Sequence, residues 1–280
     1  MIEPQRAAPL QLSASDLERV TKLIYRHTGM TFGENKRYYI ERRIGDRIAK
    51  TGAKDVPAYL SLAASGPEAE QIINAFTVNE TYFYREEHQL AALTNAILPA
   101  IVAHRRPGDL VRIWSMPCST GEEPYSIAIW LLENWPLVDA YNIEIVGSDI
   151  DTAAIAAARA GHFNARSLAR LPDSVRTAYF EPEQRHRRKI IDDLRESVHF
   201  SATNLVDAAS VAAQGKFDVI LCRNLLIYFH DASRVTATEN IFDSLNPGGY
   251  LCLGHSESMA RISDRFTLVR LDDAIVYRKP

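Results

Sequence analysis

The sequence predicts an α/β fold, an open and mostly parallel sheet covered by helices on both faces, with an all-α domain ahead of it. Three observations carry this. Helical periodicity without a convincing strand runs to about residue 105, and from Leu110 short β-branched runs alternate with helical stretches. The chain of 280 residues, 46% of them apolar, is long enough for one large domain or two ordinary ones. The expected boundaries are 1–88 for the helical domain and 89–280 for the α/β domain, with a small β-rich insertion at about 176–200.

Taken in order, "SASDLERVTKLIYRHTG" (13–29) opens on serines suited to an N-cap, repeats apolar residues every three or four positions and stops at Gly29. "KRYYIERRIGDRIAKTG" (36–52), "DVPAYLSLAASG" (55–66) and "PEAEQIINAFTVN" (67–79) follow the same pattern. The expected strands are VRIWS (111–115), IEIVGS (143–148), VHFSAT (198–203), FDVILC (217–222), GYLCLG (249–254) and AIVYR (274–278). Stretches 123–135, 152–160 and 231–245 read as helices between them, the last ended by "LNPGG" (245–249). Only an irregular stretch and a turn precede the final strand, which is therefore expected to be antiparallel at or near an edge. "EPEQRHRRKIIDDLRESVHF" (181–200) fits neither helix nor parallel strand and reads as an inserted hairpin.

Composition removes several function classes. A formal net charge of −3 gives no global basic field for nucleic acid. Cys118, Cys222 and Cys252 match no zinc spacing, and an odd number makes a poor disulfide framework, so they read as buried hydrophobes in a reducing compartment. No metal site is expected. The N-terminus lacks an apolar signal region, and no apolar run approaches the eighteen or so residues a membrane span needs. A soluble, cytoplasmic protein without membrane insertion is the expectation.

Open parallel sheets bind ligands outside the carboxyl ends of their strands. The first strand runs into "MPCSTGEEPYS" (116–126), where Gly121 permits a tight turn and Glu123 and Pro124 suit the first turn of a helix. A dinucleotide site would show G-x-G-x-x-G; here one glycine is followed by two acids, which would repel a pyrophosphate and favour a cation. The second strand ends in "GSDIDT" (147–152). Asp149 is placed to accept ribose hydroxyls, with Asp151 or Thr152 as the helix cap. "SATNLVD" (201–207) and "LCRNLLIYF" (221–229) bring Asn204 and Asn224 to the next strand ends, each suited to an adenine edge or a carboxylate. A ligand with adenine, ribose, an amino-acid zwitterion and a sulfonium, but no phosphate, fits these groups: S-adenosylmethionine.

The segments "NETYFYRE" (79–86), "CSTGEEPYSIAI", "SDIDTAAIAAARAG", "FDVILCRNLLIYF" and "GGYLCLGHSE" together resemble the signature segments of the CheR-type chemoreceptor glutamate methyltransferases. With the helical half, the resemblance covers nearly the whole chain. It implies a Rossmann-like class I methyltransferase domain carrying a small inserted β-subdomain, preceded by an all-α domain. It implies cofactor contacts from Asn79, Thr81, Arg85, Glu123, Asp149, Asn204, Leu205, Arg223 and Asn224, and makes "NETYFYRE" a cover over the cofactor. Tyr82, Phe83 and Tyr84 would then serve packing, while Arg85 and Tyr228 flank the transferred methyl and the acceptor carboxylate. Met116 and Pro117 depart from the family's small residues, and Pro117 has no N–H to donate to the cofactor loop.

The implied activity is protein-glutamate O-methyltransfer in chemotaxis signal transduction, with S-adenosylhomocysteine as product. An ordinary glutamate is already ionised at neutral pH, so no general base is required, and His255 reads as a loop anchor. The implied partner is the helical bundle of a methyl-accepting chemoreceptor's cytoplasmic region. Lys36, Arg43, Arg47 and Lys50 recur at helical spacing and would form its basic docking stripe. Family members that grip a receptor's C-terminal pentapeptide have a glycine-containing turn in the β-subdomain; "EPEQRHRR" has none, so independence of that tether is expected. Two other readings stand beside this one: a class I methyltransferase with another acceptor, and a non-catalytic cofactor-binding regulatory module.

Overall fold

The computed structural model describes residues 10–272 and 274–280. Two compact units divide the chain: one runs up to Thr77 and takes in Tyr228–His230, and the other comprises Val78–Ile227 and Asp231–Pro280. Residues 78–88, expected with the helical domain, group with the second unit in this division.

The helical unit contains α1 (Ala14–Thr28), α2 (Arg37–Thr51), α3 (Val56–Ala63) and α4 (Pro67–Phe76). The caps are those the sequence suggests. Ser13 Oγ accepts the Asp16 N–H at 3.0 Å, and Gly29 closes α1 at φ 73°. Asp55 accepts the Ala58 N–H at 2.8 Å. One stripe of each helix is apolar, and Val20, Ile24, Ile40, Ile44, Tyr59, Ile72 and Phe76 meet in a core of their own.

The second unit begins with α5 (Glu87–Ala92) and α6 (Leu98–Val102). Its strands are β1 (Leu110–Ser115), β2 (Asn142–Asp149), β3 (His162–Asn164), β4 (Arg187–Lys189), β5 (Val198–Ala202), β6 (Phe217–Cys222), β7 (Leu245–Leu253), β8 (Thr267–Arg270) and β9 (Ile275–Arg278). The remaining helices are α7 (Glu122–Asn134), α8 (Thr152–Ala160), α9 (Asp173–Tyr179), α10 (Asp192–Ser197), α11 (Ala208–Ala212) and α12 (Asp231–Ser244). Among the described residues the main sheet has the order β5-β2-β1-β6-β7-β9-β8. Strands β5, β2, β1, β6 and β7 are parallel neighbours, and β9 runs antiparallel to both β7 and β8. Every position of β6 is buried, as a parallel strand covered on both faces requires. The order reverses between β1 and β6, which places a ligand crevice beyond their carboxyl ends.

All six expected strands are present, and the last is antiparallel near an edge. The edge itself is β8, which the sequence reading lacks: "TLVR" is four residues, largely exposed on both faces, so it carries no apolar alternation. Residues 180–190 fold back on themselves through antiparallel bridges at Phe180–Ile190 and Gln184–Arg187, and β4 pairs with β3 at 162–164, before the expected insertion range of about 176–200. A three-residue strand is too short to show a period of two. From Asp192 the expected hairpin segment turns into α10 and then into β5 of the main sheet. At the hairpin's tip Arg185 and His186 both have positive φ, 49° and 63°, and Gln184 and Arg187 exchange backbone hydrogen bonds of 2.8 and 3.0 Å. A two-residue turn thus forms without the glycine it favours. The three cysteines are buried, and burial pushes their thiols up, that of Cys252 to about 12. Among the described residues no helix is long and apolar enough to cross a membrane.

Candidate functional site

The site of the second unit is built at the carboxyl ends of β1, β2, β6 and β7. After β1 the chain passes through a cis Met116–Pro117 bond and reaches Gly121 at φ 96°. A Cβ on Gly121 would lie 2.9 Å from the Ala158 Cβ, so neither the dihedral nor the space suits another residue. Helix α7 therefore starts with two acids in its first turn, and they separate. Glu122, only 4% exposed, accepts from the Thr120 and Ser167 hydroxyls at 2.6 Å each, which ties loop to loop. Glu123 accepts from Ser115 Oγ at 2.8 Å and from Arg223 Nη1 at 2.6 Å.

Arg223 follows β6 and is 5% exposed. Its guanidinium spans three acceptors: the Glu123 carboxylate, the Glu86 carboxylate at 3.0 Å and the Arg85 carbonyl at 2.8 Å. Its Nε is buried with no hydrogen-bond partner among the described residues. Burial alone would lower this guanidinium, but Glu123 and Glu86 outweigh it and hold Arg223 above its ordinary value. Burial likewise pushes Glu86 up, and Arg223 and His255 more than reverse it, so the carboxyl lies below the usual range. His255 Nδ1 is 2.7 Å from Glu86 Oε1, the anchoring role its motif suggested.

The "NETYFYRE" segment packs on this unit through its aromatics. Phe83 is fully buried, edge-on to Phe163 and Phe180 at centroid distances of 4.8 and 5.3 Å. Tyr84 is 4% exposed, its N–H on Ser126 Oγ at 3.0 Å and its ring edge-on to Trp130. Tyr82 is half-buried, with the Arg85 and Arg170 guanidinium carbons 5.8 and 4.9 Å from its ring centre. Arg85 Nη1 donates to the Glu80 carbonyl at 2.9 Å, and Thr81 is half-buried. At the segment's start Asn79 Nδ2 donates to Asp151 Oδ2 at 2.7 Å, and its Oδ1 accepts from Ser119 Oγ at 3.1 Å.

Asp149, at the end of β2, is 4% exposed and accepts the N–H groups of Ser119 and Asp151 at 2.8 and 2.9 Å. Burial raises its carboxyl to about 6 even against those donors. Asp151 caps α8 by accepting the Ala154 N–H at 2.9 Å. Beyond β5, Asn204 Oδ1 takes the Val206 N–H at 3.2 Å, while Leu205 is 2% exposed with its carbonyl on Asn240 Nδ2 at 2.8 Å. Beyond β6, Asn224 adopts φ 58° and gives its N–H to Glu257 Oε2 at 2.7 Å.

Hydrogen bonds therefore join Asn79 to Ser119 and Asp149, and Glu123 to Arg223 and Arg85. Asn204 and Leu205 stand beyond β5, and Asn224 stands beyond β6. Tyr228 ends the single turn Leu226–Tyr228, and its carbonyl accepts the Thr31 N–H at 3.0 Å within the helical unit. Of the expected docking stripe, Lys36 and Lys50 are exposed, and Arg43 stacks over Tyr39 at 5.1 Å. Arg47 instead makes a bidentate pair with Glu68 at 2.8 and 2.6 Å and is 13% exposed in its side chain. The Tyr59 hydroxyl shares that carboxylate at 3.0 Å.

Four participants escaped the sequence reading. Glu86 closes "NETYFYRE" and Glu257 closes "GHSE", so both acids sat in motifs already noticed. Ser115 and Ser119 gave no signal, since strand and loop serines are common.

The donor set is acidic and amidic, and α7 starts with carboxylates where a phosphate would need free N–H groups. That chemistry fits a cationic nucleoside without phosphate. Family profiles agree: "CheR methyltransferase, SAM binding domain" matches residues 79–275, and "CheR methyltransferase, all-alpha domain" matches residues 15–77. The chain is 48% identical over 272 residues to chemotaxis protein methyltransferase 2 of Vibrio cholerae, covering 96% of this chain and 94% of that one. It is 32% identical over 275 residues to a chemotaxis protein methyltransferase of Vibrio parahaemolyticus, with 96% and 98% covered. For the Klebsiella aerogenes protein of the same name, identity is 36% over 271 residues, with 94% and 90% covered. With both family parts present in order and relatives aligned along almost its whole length, the chain belongs to the CheR methyltransferase family.

Proposed function

We propose that the protein transfers a methyl group from S-adenosylmethionine to glutamate side-chain carboxylates of chemoreceptor cytoplasmic helices, forming methyl esters and S-adenosylhomocysteine. The observation that carries this is the set of carboxyl strand ends where Glu123 pairs with the buried Arg223 and Asp149 accepts backbone N–H groups at the end of β2, without a phosphate-binding loop. When bound, S-adenosylmethionine supplies an electrophilic methyl on a sulfonium. The chain's residues then hold, align and dry the site. Glu123 and Arg223 together present both signs of charge to an amino-acid zwitterion. Asp149 accepts ribose hydroxyls, and Asn204, Leu205 and Asn224 frame the base, with Asn79 and Thr81 closing over it. Arg85 and Tyr228 orient the acceptor carboxylate for in-line attack, and alignment with exclusion of water supplies the acceleration. No proton has to be removed from an acceptor that is already ionised.

The test is transfer of a radiolabelled methyl to a receptor cytoplasmic fragment, followed by alkali. Methyl esters release volatile methanol, whereas N-methyl groups do not. Volatile counts that vanish when the receptor's glutamates are replaced by alanine are the expected result; binding of cofactor with no counts would leave the regulatory-module reading.

Asp149 adds a pH signature. Burial pushes its carboxyl up to about 6, and the ionised form is the stronger acceptor for a ribose hydroxyl. Affinity for S-adenosylhomocysteine should therefore fall below about pH 6, by up to about tenfold per unit, and level off above pH 7. Calorimetric titration across pH 5–8 checks it, and a flat profile would remove Asp149 from the ribose.

For the partner, Lys36, Arg43 and Lys50 form the docking stripe, with Arg47 bracing α2 through Glu68 from beneath. Lys36→Glu combined with Lys50→Glu should raise KM for a receptor fragment by about tenfold at low salt, and less at high salt. Affinity for S-adenosylhomocysteine should not change. The glycine-free turn at Arg185–His186 supports independence of a C-terminal tether pentapeptide.

A further inference from the structure

We infer that Glu257 is the positioning residue that aims Asn224 into the site, a role that rests on the cofactor reading above. The loops after β6 and β7 leave adjacent parallel strands, and Glu257 is where they are joined. Its Oε2 accepts two backbone donors at once, the Asn224 N–H at 2.7 Å and the Gly254 N–H at 3.0 Å. Its Oε1 lies 3.4 Å from the Ile227 N–H, farther along the same loop. One carboxylate thus gathers amides from both loops.

The packing leaves little freedom. The Glu257 N–H bonds to the Gly254 carbonyl at 2.9 Å, so the second loop closes in a single tight turn that returns the carboxylate toward β6. A Cβ on Gly254 would lie 2.8 Å from Asn224 Nδ2, 3.0 Å from Asn224 N and 2.9 Å from Glu257 Oε2. The side-chain amide of Asn224 therefore rests directly on the Gly254 backbone. Asn224 itself sits at φ 58°, a conformation that asparagine tolerates but that needs support from its surroundings. The charge-assisted bond from Glu257 is that support.

Chemistry separates the possible replacements. Glutamine keeps the length and can offer its carbonyl to both N–H groups. Aspartate keeps the charge but falls one methylene short, and alanine offers nothing.

The experiment uses the full chain with Glu257→Ala, Glu257→Gln and Glu257→Asp, alone and combined with Asn224→Ala. Two readouts are taken: amide hydrogen exchange by NMR at Asn224 and Gly254, and calorimetric affinity for S-adenosylhomocysteine. Glu257→Ala should speed exchange at both amides and weaken binding by about tenfold, the worth of one charge-assisted hydrogen bond. Glu257→Asp should behave alike, and Glu257→Gln should stay within about threefold of wild type, because only one acceptor atom is required. If alanine prevents folding, the contrast between Gln and Asp still decides. The Glu257→Ala, Asn224→Ala pair should bind no more weakly than Asn224→Ala alone, since a residue acting through Asn224 has nothing left to position. Additive losses, or exchange at Asn224 unchanged in the alanine and aspartate variants, would overturn the assignment. A wild-type chain that bound no S-adenosylhomocysteine would overturn the cofactor reading instead, and the exchange readout would still decide whether Glu257 holds the loop.

Discussion

Arg223→Ala is expected to lower the unfolding free energy by about 3–5 kcal/mol at pH 7, because it leaves two largely buried carboxylates facing each other without their cation. Glu86 and Glu123 are 11% and 14% exposed in their side chains and share the one guanidinium. The loss is one of compensation, so the deficit should depend on pH. In the wild type Glu86 lies below its ordinary value, and the stability it contributes is present at neutral pH and lost as pH falls through that depressed value. In the variant only the His255 contacts still oppose burial at Glu86, the carboxyl rises, and acidification relieves the strain by protonation. The gap between the two proteins should therefore narrow from pH 7 to pH 5. Urea unfolding at both values measures it. A deficit under about 1 kcal/mol, or one that widens on acidification, would mean that the pair does not hold the site together.

Phe83→Ala should cost about 3–5 kcal/mol as well, by a different route. Phe83 is fully buried and meets Phe163 and Phe180 edge-on, and Phe163 in turn meets Tyr125 at 6.0 Å. Removing the central ring opens a cavity in a cluster whose other members are fixed by β3, α7 and the start of the inserted hairpin. The Phe83 N–H also donates to the Ser167 carbonyl at 3.0 Å, a backbone bond that the substitution leaves in place. Phe83→Leu, which keeps most of the volume, should lose only about 1–1.5 kcal/mol. Thermal unfolding of the two variants separates packing from mere hydrophobicity: equal losses would count against the ring geometry.

Much of this was legible in the residues. The helical stripe of α1 with Ser13 and Gly29 at its ends, and the buried runs of β1 and β6, announce themselves by period and cap. Glu123 and Asp149 stood out because acids are unusual where a phosphate loop would be. What stayed hidden depends on contacts across the chain. Nothing local in "RRIGDRI" says that Arg47 turns inward to Glu68, 21 residues away, while Lys50 remains in water. Asn224 and Glu257 are 33 residues apart, and only the adjacency of β6 and β7 brings them together. Strands β3 and β8 fail for another reason, since three or four residues at a sheet margin bury too little to leave a pattern.

The backbone records where this molecule has given up comfort. Tyr84, Glu86, Ser119 and Asn224 all occupy the left-handed region without being glycine, and all four lie in the loops that surround the crevice. Each such residue costs about 1–2 kcal/mol relative to relaxed backbone. Glycine would relieve that cost at Ser119 and Asn224 while widening the range of shapes those loops visit; at Tyr84 and Glu86 it would also delete a buried ring and a partner of Arg223. At Ser119 and Asn224, therefore, a gain in melting temperature would come with a blurred crevice.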